Sequence, residues 1–206
     1  MNTTNSLSNT SLLYNRGGYS IKNDSVAISA NRFQMLKSAL IKLMLVVAIV
    51  VGGKVAWGQT MVTDVLNRAL TGVTGTSYSN WSGKTSISSA VYAGNSAGGN
   101  NSIQLRSSNN NSGIVTTTSG GNVKKVTVVW NSNTASGRTL NIYGKNTAYS
   151  RASDLYNAST QGTLLGTIVY GTSTELTISG DYAYIGMRSN SNAMYLTSIS
   201  IDWETS

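Results

Sequence analysis

The chain has 206 residues, with 15 Lys+Arg against 7 Asp+Glu and no His, Cys or Pro. Absence of cysteine excludes a disulfide framework, a thiolate metal site and a cysteine nucleophile. Absence of histidine removes the commonest general base and metal ligand, and with it any Ser-His-Asp triad. The net charge of +8 is unevenly placed: six cations less one anion give +5 in residues 1–58, and nine less six give +3 in 59–206. Nucleic-acid affinity needs clustered phosphate contacts. Lys124-Lys125 is the only adjacent basic pair after residue 58, so nucleic acid is not an expected partner.

In chain order, residues 1–34 are polar, Asn/Ser-rich and without a strong period. They read as a disordered extension, or translation starts at Met35. Residues 35–58 have the layout of a secretory signal: Lys37 and Lys42, the apolar run Leu43–Val51, then Ala56 and Gly58 at −3 and −1 before Gln59. The rival reading is an uncleaved anchor, and then the membrane is contacted only through this segment. Either reading places 59–206 outside the cytoplasm, because the cations precede the apolar run. The expected location is secreted, periplasmic or cell-surface. Residues 59–76 read as a linker or short helix, with "TDVLNRAL" (63–70) the helical candidate and Thr63 its cap.

From about residue 77 the pattern changes to short alternating runs broken by Gly, Asn and Ser clusters. Strands are expected at 86–94, 102–106, 114–118, 123–131, 139–145, 163–170, 174–178, 181–189 and 193–203. Val126, Val128 and Trp130 alternate inward, as do Leu140 with Ile142, Ala183 with Ile185 and Met187, and Ile199 with Ile201 and Trp203. Leu196 is out of phase with the last set, which predicts a bulge near Thr197. About ten short strands with one apolar face each must stack face to face. The expected fold class is all-β, an antiparallel two-sheet β-sandwich of jelly-roll type over 77–206, preceded by an N-terminal signal or hydrophobic helix.

The closing stretch "GDYAYIGMRSNSNAMYLTSISIDWE" (180–204) resembles the last two strands of galactose-binding-like (discoidin-type) jelly rolls. Residues 91–146 resemble exported β-sandwich modules of gut-bacterial surface proteins. The resemblance implies a jelly-roll fold and glycan or surface binding. The discoidin-type disulfide is missing, and no acidic cluster marks a calcium site, so neither metal nor cofactor is expected.

Three candidate ligand-binding regions stand out. The first is the long polar segment between "LNIYGK" and "TLLGTIVY", which carries Tyr149, Arg151, Asp154 and Tyr156. Loops of that length are uncommon in compact domains and often functional. Tyrosine stacks on sugar C–H faces while its hydroxyl bonds polar groups. Alternatively Tyr149, Leu155 and Tyr156 fold back over the sandwich, with Ser153 capping a short turn. The second region is "TSYSNWSGK" (76–84), where Tyr78 and Trp81 offer a stacking platform if exposed, or seal an edge if not. The third is the pair Arg106 and Arg188, each ending a strand beside an Asn/Ser loop, with forks suited to hydroxyl pairs or carboxylates. Catalysis is not expected. A glycosidase needs two facing carboxylates about 5–10 Å apart, and the six acids after residue 58 form no pairing motif. The sequence thus points to a non-catalytic exported module that binds glycan or another surface ligand. Its alternative is a structural or adhesive protein that contacts a surface protein.

Overall fold

The computed structural model describes residues 58–205. The expected extension and nearly all of the expected signal or anchor segment, residues 1–57, lie outside those residues. Eleven strands form two antiparallel sheets. They are β1 (Thr60–Asn67), β2 (Ser79–Lys84), β3 (Val91–Ser96), β4 (Ile103–Arg106), β5 (Gly113–Thr118), β6 (Asn122–Trp130), β7 (Thr139–Lys145), β8 (Thr163–Val169), β9 (Glu175–Thr177), β10 (Tyr184–Ser189) and β11 (Ala193–Thr205). The smaller sheet runs β1-β11-β6-β9, with β4 also on β11; the larger runs β2-β3-β5-β10-β7-β8. The expected all-β, two-sheet sandwich is therefore the architecture.

Long β11 organises the smaller sheet. Along one edge it pairs first with β4, through Ala193–Leu196, and then with β1, from Ser198 to Thr205. Along the other it pairs with β6, and the register slips between Leu196 and Ser198. That slip is the bulge expected at Thr197: one extra residue restores Ile199, Ile201 and Trp203 to the inward phase, where all three are fully buried. A bridge between Ala97 and Gln104 ties the end of β3 to β4 and joins the two sheets at one side.

The sheets close on one apolar core. Ile103, Leu105, Val126, Val128, Ile199, Ile201 and Trp203 of the smaller sheet meet Tyr92, Ile114, Leu140, Ile142, Ile168, Ile185 and Met187 of the larger. Each such side chain contributes about 1.5–3 kcal/mol on burial, and this repeated burial on a two-residue period holds the sandwich shut.

The segment expected as linker or short helix departs from that reading. Thr60–Asn67 is an edge strand, and only Arg68–Thr71 (α1) is helical. Asn67, not Thr63, caps α1: its carboxamide oxygen accepts from the Leu70 amide at 2.9 Å. Thr63 sits in the strand and donates to Asp202 Oδ1 at 2.7 Å. Two inward positions of β1 explain the difference. Leu66 is fully buried, and so is Asp64, which puts a carboxylate where alternation calls for an apolar residue.

Asp64 is satisfied there by five donors. Oδ1 accepts the amides of Ile87 (2.8 Å) and Ser88 (2.7 Å); Oδ2 accepts the Tyr92 hydroxyl (2.7 Å), the Trp203 indole N–H (3.1 Å) and the Ser88 hydroxyl. Burial alone pushes its carboxyl pKa up, but these hydrogen bonds together hold it below the usual 3.8. Tyr92, buried against that anion, has its phenol pushed far up. The carboxylate thus pins strands of both sheets and the loop before β3.

The larger sheet is covered on its outer face too. The polar segment after β7 folds back as a lid with a 3-10 turn at Ala152–Tyr156, and it plants Tyr149 and Leu155 against Ala93, Val115 and Tyr143. Leu155 needs bare backbone beneath it. A Cβ on Gly186 would lie 2.4 Å from one Leu155 methyl, and one on Gly113 would lie 2.9 Å from the other. The Asp154 carboxylate fixes the turn by accepting the amides of Ser150 (2.7 Å) and Arg151 (3.2 Å), so Ser153 is not the cap.

Candidate functional site

Beside the apolar strip that the lid covers, the outer face of the larger sheet carries a polar row set by register. Asn80 on β2 faces Asn95 on β3, and Asn95 faces Gly113 on β5. A side chain on Gly113 would meet the Arg188 Cβ at 3.6 Å. Arg188 on β10 faces Asn141 on β7, which faces Thr167 on β8. Successive residues of a strand point to opposite faces, so this row lies one step from the inward Gly94, Ile114, Met187 and Ile142.

The row is buried at Asn95 and Asn141, partly buried at Arg188 and exposed at its ends, Asn80 and Thr167, and it is only partly satisfied. Asn95 and Asn141 are 4% and 6% exposed. The Asn95 amide donates to Asn80 Oδ1 at 2.8 Å, and the Asn141 amide donates to the Tyr143 hydroxyl at 3.2 Å. The Oδ1 atoms of Asn95 and Asn141 and the Nε of Arg188 have no hydrogen-bond partner within the protein. Groups left this way cost about 1–3 kcal/mol each and call for an explanation.

Around the row stand two tyrosine–arginine stacks. The Arg188 guanidinium lies 4.8 Å from the ring centroid of Tyr156 and 5.5 Å from that of Tyr143. The Arg106 guanidinium lies 4.2 Å from the ring centroid of Tyr78. Ser112 joins the two: its carbonyl accepts the Tyr156 hydroxyl at 2.7 Å, and its hydroxyl accepts the Arg106 amide at 3.1 Å. Burial pushes the Tyr78 phenol up to about 12, against the pull of Arg106, and it also raises the Tyr156 phenol against Arg188. Both phenols are neutral donors at ordinary pH. The Tyr78 hydroxyl is buried beside the Gln104 side chain.

At the β2 end the row opens into a cleft of about 360 Å3 between that strand and the lid, lined among others by Asn80, Ser82, Asn111, Ser150, Arg151 and Ser153. No Asp or Glu lines it. Among the described residues no three His, Cys, Asp or Glu side chains group so as to hold a metal ion.

The structure separates the residues that the sequence singled out. Arg106, Arg188, Tyr78 and Tyr156 come together around Ser112. Arg151 is exposed at the cleft rim, 4.0 Å from Asp154. Tyr149 is 1% exposed, its hydroxyl bonded to the Gln161 carbonyl at 2.7 Å, so it fastens the lid rather than facing solvent. Trp81 is 8% exposed and belongs to the main core. Its ring lies on Gly94, and its indole donates to Ser96 Oγ at 3.0 Å. It seals the sandwich edge, and the small part of it left exposed lines the cleft beside Asn80. Asn80, Asn95 and Asn141 were not among the candidates, since only the register of several strands assembles them. Trp130, expected inward, is partly exposed. It meets Tyr170 edge to face at 5.5 Å over a shallow groove beside Val129.

No protein-family model, curated protein or solved structure matches the chain.

Proposed function

We propose that this chain is a non-catalytic, exported β-sandwich module of jelly-roll type that binds carbohydrate on the outer face of its larger sheet. One observation carries this reading: two nearly buried asparagines and a partly buried arginine in one row, with acceptor and donor atoms unspent. A sugar ring presents adjacent hydroxyls that donate and accept at once. A planar carboxamide or guanidinium meets such a pair with two atoms. Bonding to hydroxyls recovers the cost of the unpaired amide oxygens, and the partly exposed Tyr156 ring, stacked on Arg188, gives the sugar an apolar surface. The cleft beside Asn80 and Arg151 gives the sugar chain a way off the sheet. The acid-free lining speaks for binding without hydrolysis, which takes a pair of carboxylates. Export rests on the leader-like residues 35–58.

A glycan array probed with the full chain tests the reading. Retention of a defined sugar set, weakened roughly tenfold by Asn95→Ala or Asn141→Ala with folding intact, is the expected result. Equal binding by those variants would move the site elsewhere. The adhesive reading is favoured by β8, an edge strand whose Leu164 is half exposed and whose outer backbone groups are free to pair with another strand. It predicts no glycan retention and concentration-dependent self-association in the ultracentrifuge.

A further inference from the structure

We propose that Arg106 and Arg188 together receive a negatively charged group of the ligand, so that the sugar recognised is acidic: a uronic acid, a sialic acid or a sulfated residue. This rests on the carbohydrate reading above and narrows it.

The argument starts from where the acids are. Residues 59–206 contain six of them. Asp64 is buried under five donors, and Asp154 is tied to the lid's own amides. Asp181 and Glu204 pair with Lys124, and Asp202 pairs with Lys125, all three around the smaller sheet. Glu175 begins the edge strand β9 of that same sheet. No carboxylate pairs with Arg106 or Arg188 among the described residues, and the Nε of each is buried without a partner. The Nε atoms of Arg68 and Arg138 are also buried without a partner among the described residues, so what sets Arg106 and Arg188 apart is their stacking on tyrosine beside Ser112 and Gly113. Arg68 places its two terminal nitrogens on Asn101 Oδ1 (3.0 Å) and the Thr74 carbonyl (2.6 Å), and Arg151 leans on Asp154.

Two partly buried guanidiniums therefore flank the Ser112–Gly113 peptide with their charge balanced only by aromatic faces. Stacking on tyrosine fixes the plane of each fork and leaves its edge N–H groups to bond. A guanidinium meets a carboxylate or sulfate through paired, charge-assisted hydrogen bonds, a better match than it makes with a neutral hydroxyl.

The test uses the full chain on an array that carries uronic, sialic and sulfated glycans beside their methyl-esterified, desialylated or desulfated counterparts. Binding of the acidic members only, weakening as KCl is raised, is expected. Arg106→Gln and Arg188→Gln should each lower it roughly tenfold or more, with Arg188→Lys in between. Thermal melts check that the variants fold, and the salt dependence is read on the unaltered chain if one does not. Binding of neutral counterparts with equal strength and no salt dependence would overturn the acidic class and leave the carbohydrate reading standing. Absence of binding to every glycan would overturn both.

Discussion

Removing the buried carboxylate of Asp64 is the sharpest probe of how the sandwich holds together. Asp64→Ala strands the Tyr92 hydroxyl, which is buried completely, and deprives the Ile87 and Ser88 amides and the Ser88 hydroxyl of their acceptor. The Trp203 indole is better placed, because it also donates to the Tyr92 oxygen at 3.0 Å. Water reaches the loop amides, as Ile87 is 76% exposed. The full cost therefore falls on the buried phenol and the emptied volume, with partial losses in the loop. The sum is about 3–5 kcal/mol, comparable to breaking a buried charged network. For a domain of this size that lowers Tm by roughly 10 °C or more.

Asp64→Asn retains one oxygen and the side-chain volume. If the amide nitrogen takes the place of Oδ2, the Ser88 and Tyr92 hydroxyls can rotate to accept from it, so the loss is about half as large. The pH dependence follows from the lowered pKa. An acid whose folded-state pKa is depressed stabilises fully above its unfolded value, here 3.8. That contribution is lost as pH falls through the folded value, because the unfolded chain takes up the proton first. Melting followed by circular dichroism from neutral pH to below 4 should show the acid-side decline flattened in Asp64→Asn. Shifts under about 2 °C in both variants, or an unaltered acid limb, would refute the assignment of Asp64 as the pin between the sheets.

Three further outcomes are expected. Gly186→Ala drives a methyl into Leu155 and should destabilise the lid by about 1–3 kcal/mol through overpacking, read as faster hydrogen exchange across residues 147–161 with the inner strands little changed. Trp81→Ala should lower Tm by an amount typical of a buried aromatic, about 3–5 kcal/mol. Trp81→Phe should cost far less, and any effect of Trp81→Ala on ligand binding should track the unfolded fraction. Ultraviolet titration should find a phenol ionising near pH 12 that disappears in Tyr78→Phe. Because the unfolded phenol ionises near the ordinary value of 10.0, folding stability from this group falls as pH rises from about 10 to about 12.

How much could be read beforehand depended on which faces are buried. Strands β6 and β11 have one face in the core, so their period-two pattern was plain, even to the bulge that rephases Ile199; β10 alternated as plainly although the lid covers its outer face at Gly186. In β3, β5 and β7 both faces are covered, the outer one by the lid or by neighbouring polar residues. There Ala93, Val115 and Tyr143 blur the alternation. β1 escaped because its inward phase carries Asp64, and the Val65-Leu66 step mimics a helical stripe. Arg106 and Arg188 were noticed for the similar loops that follow them, and they do flank one peptide. The asparagine row was illegible, because its members are scattered from residue 80 to residue 141 and are brought into one row only through pairing across five strands. Trp81 misled for the opposite reason: its neighbours are polar, yet Gly94 opens a seat for it within the core.

The pairing of β1 with β11 sets Thr60 directly opposite Thr205, so both ends of the sandwich leave from one point. Tension drawn between those ends acts along the hydrogen bonds and ruptures them singly, as a zipper opens, instead of shearing eight residue pairs at once. A module wired this way yields easily when stretched between two attachments.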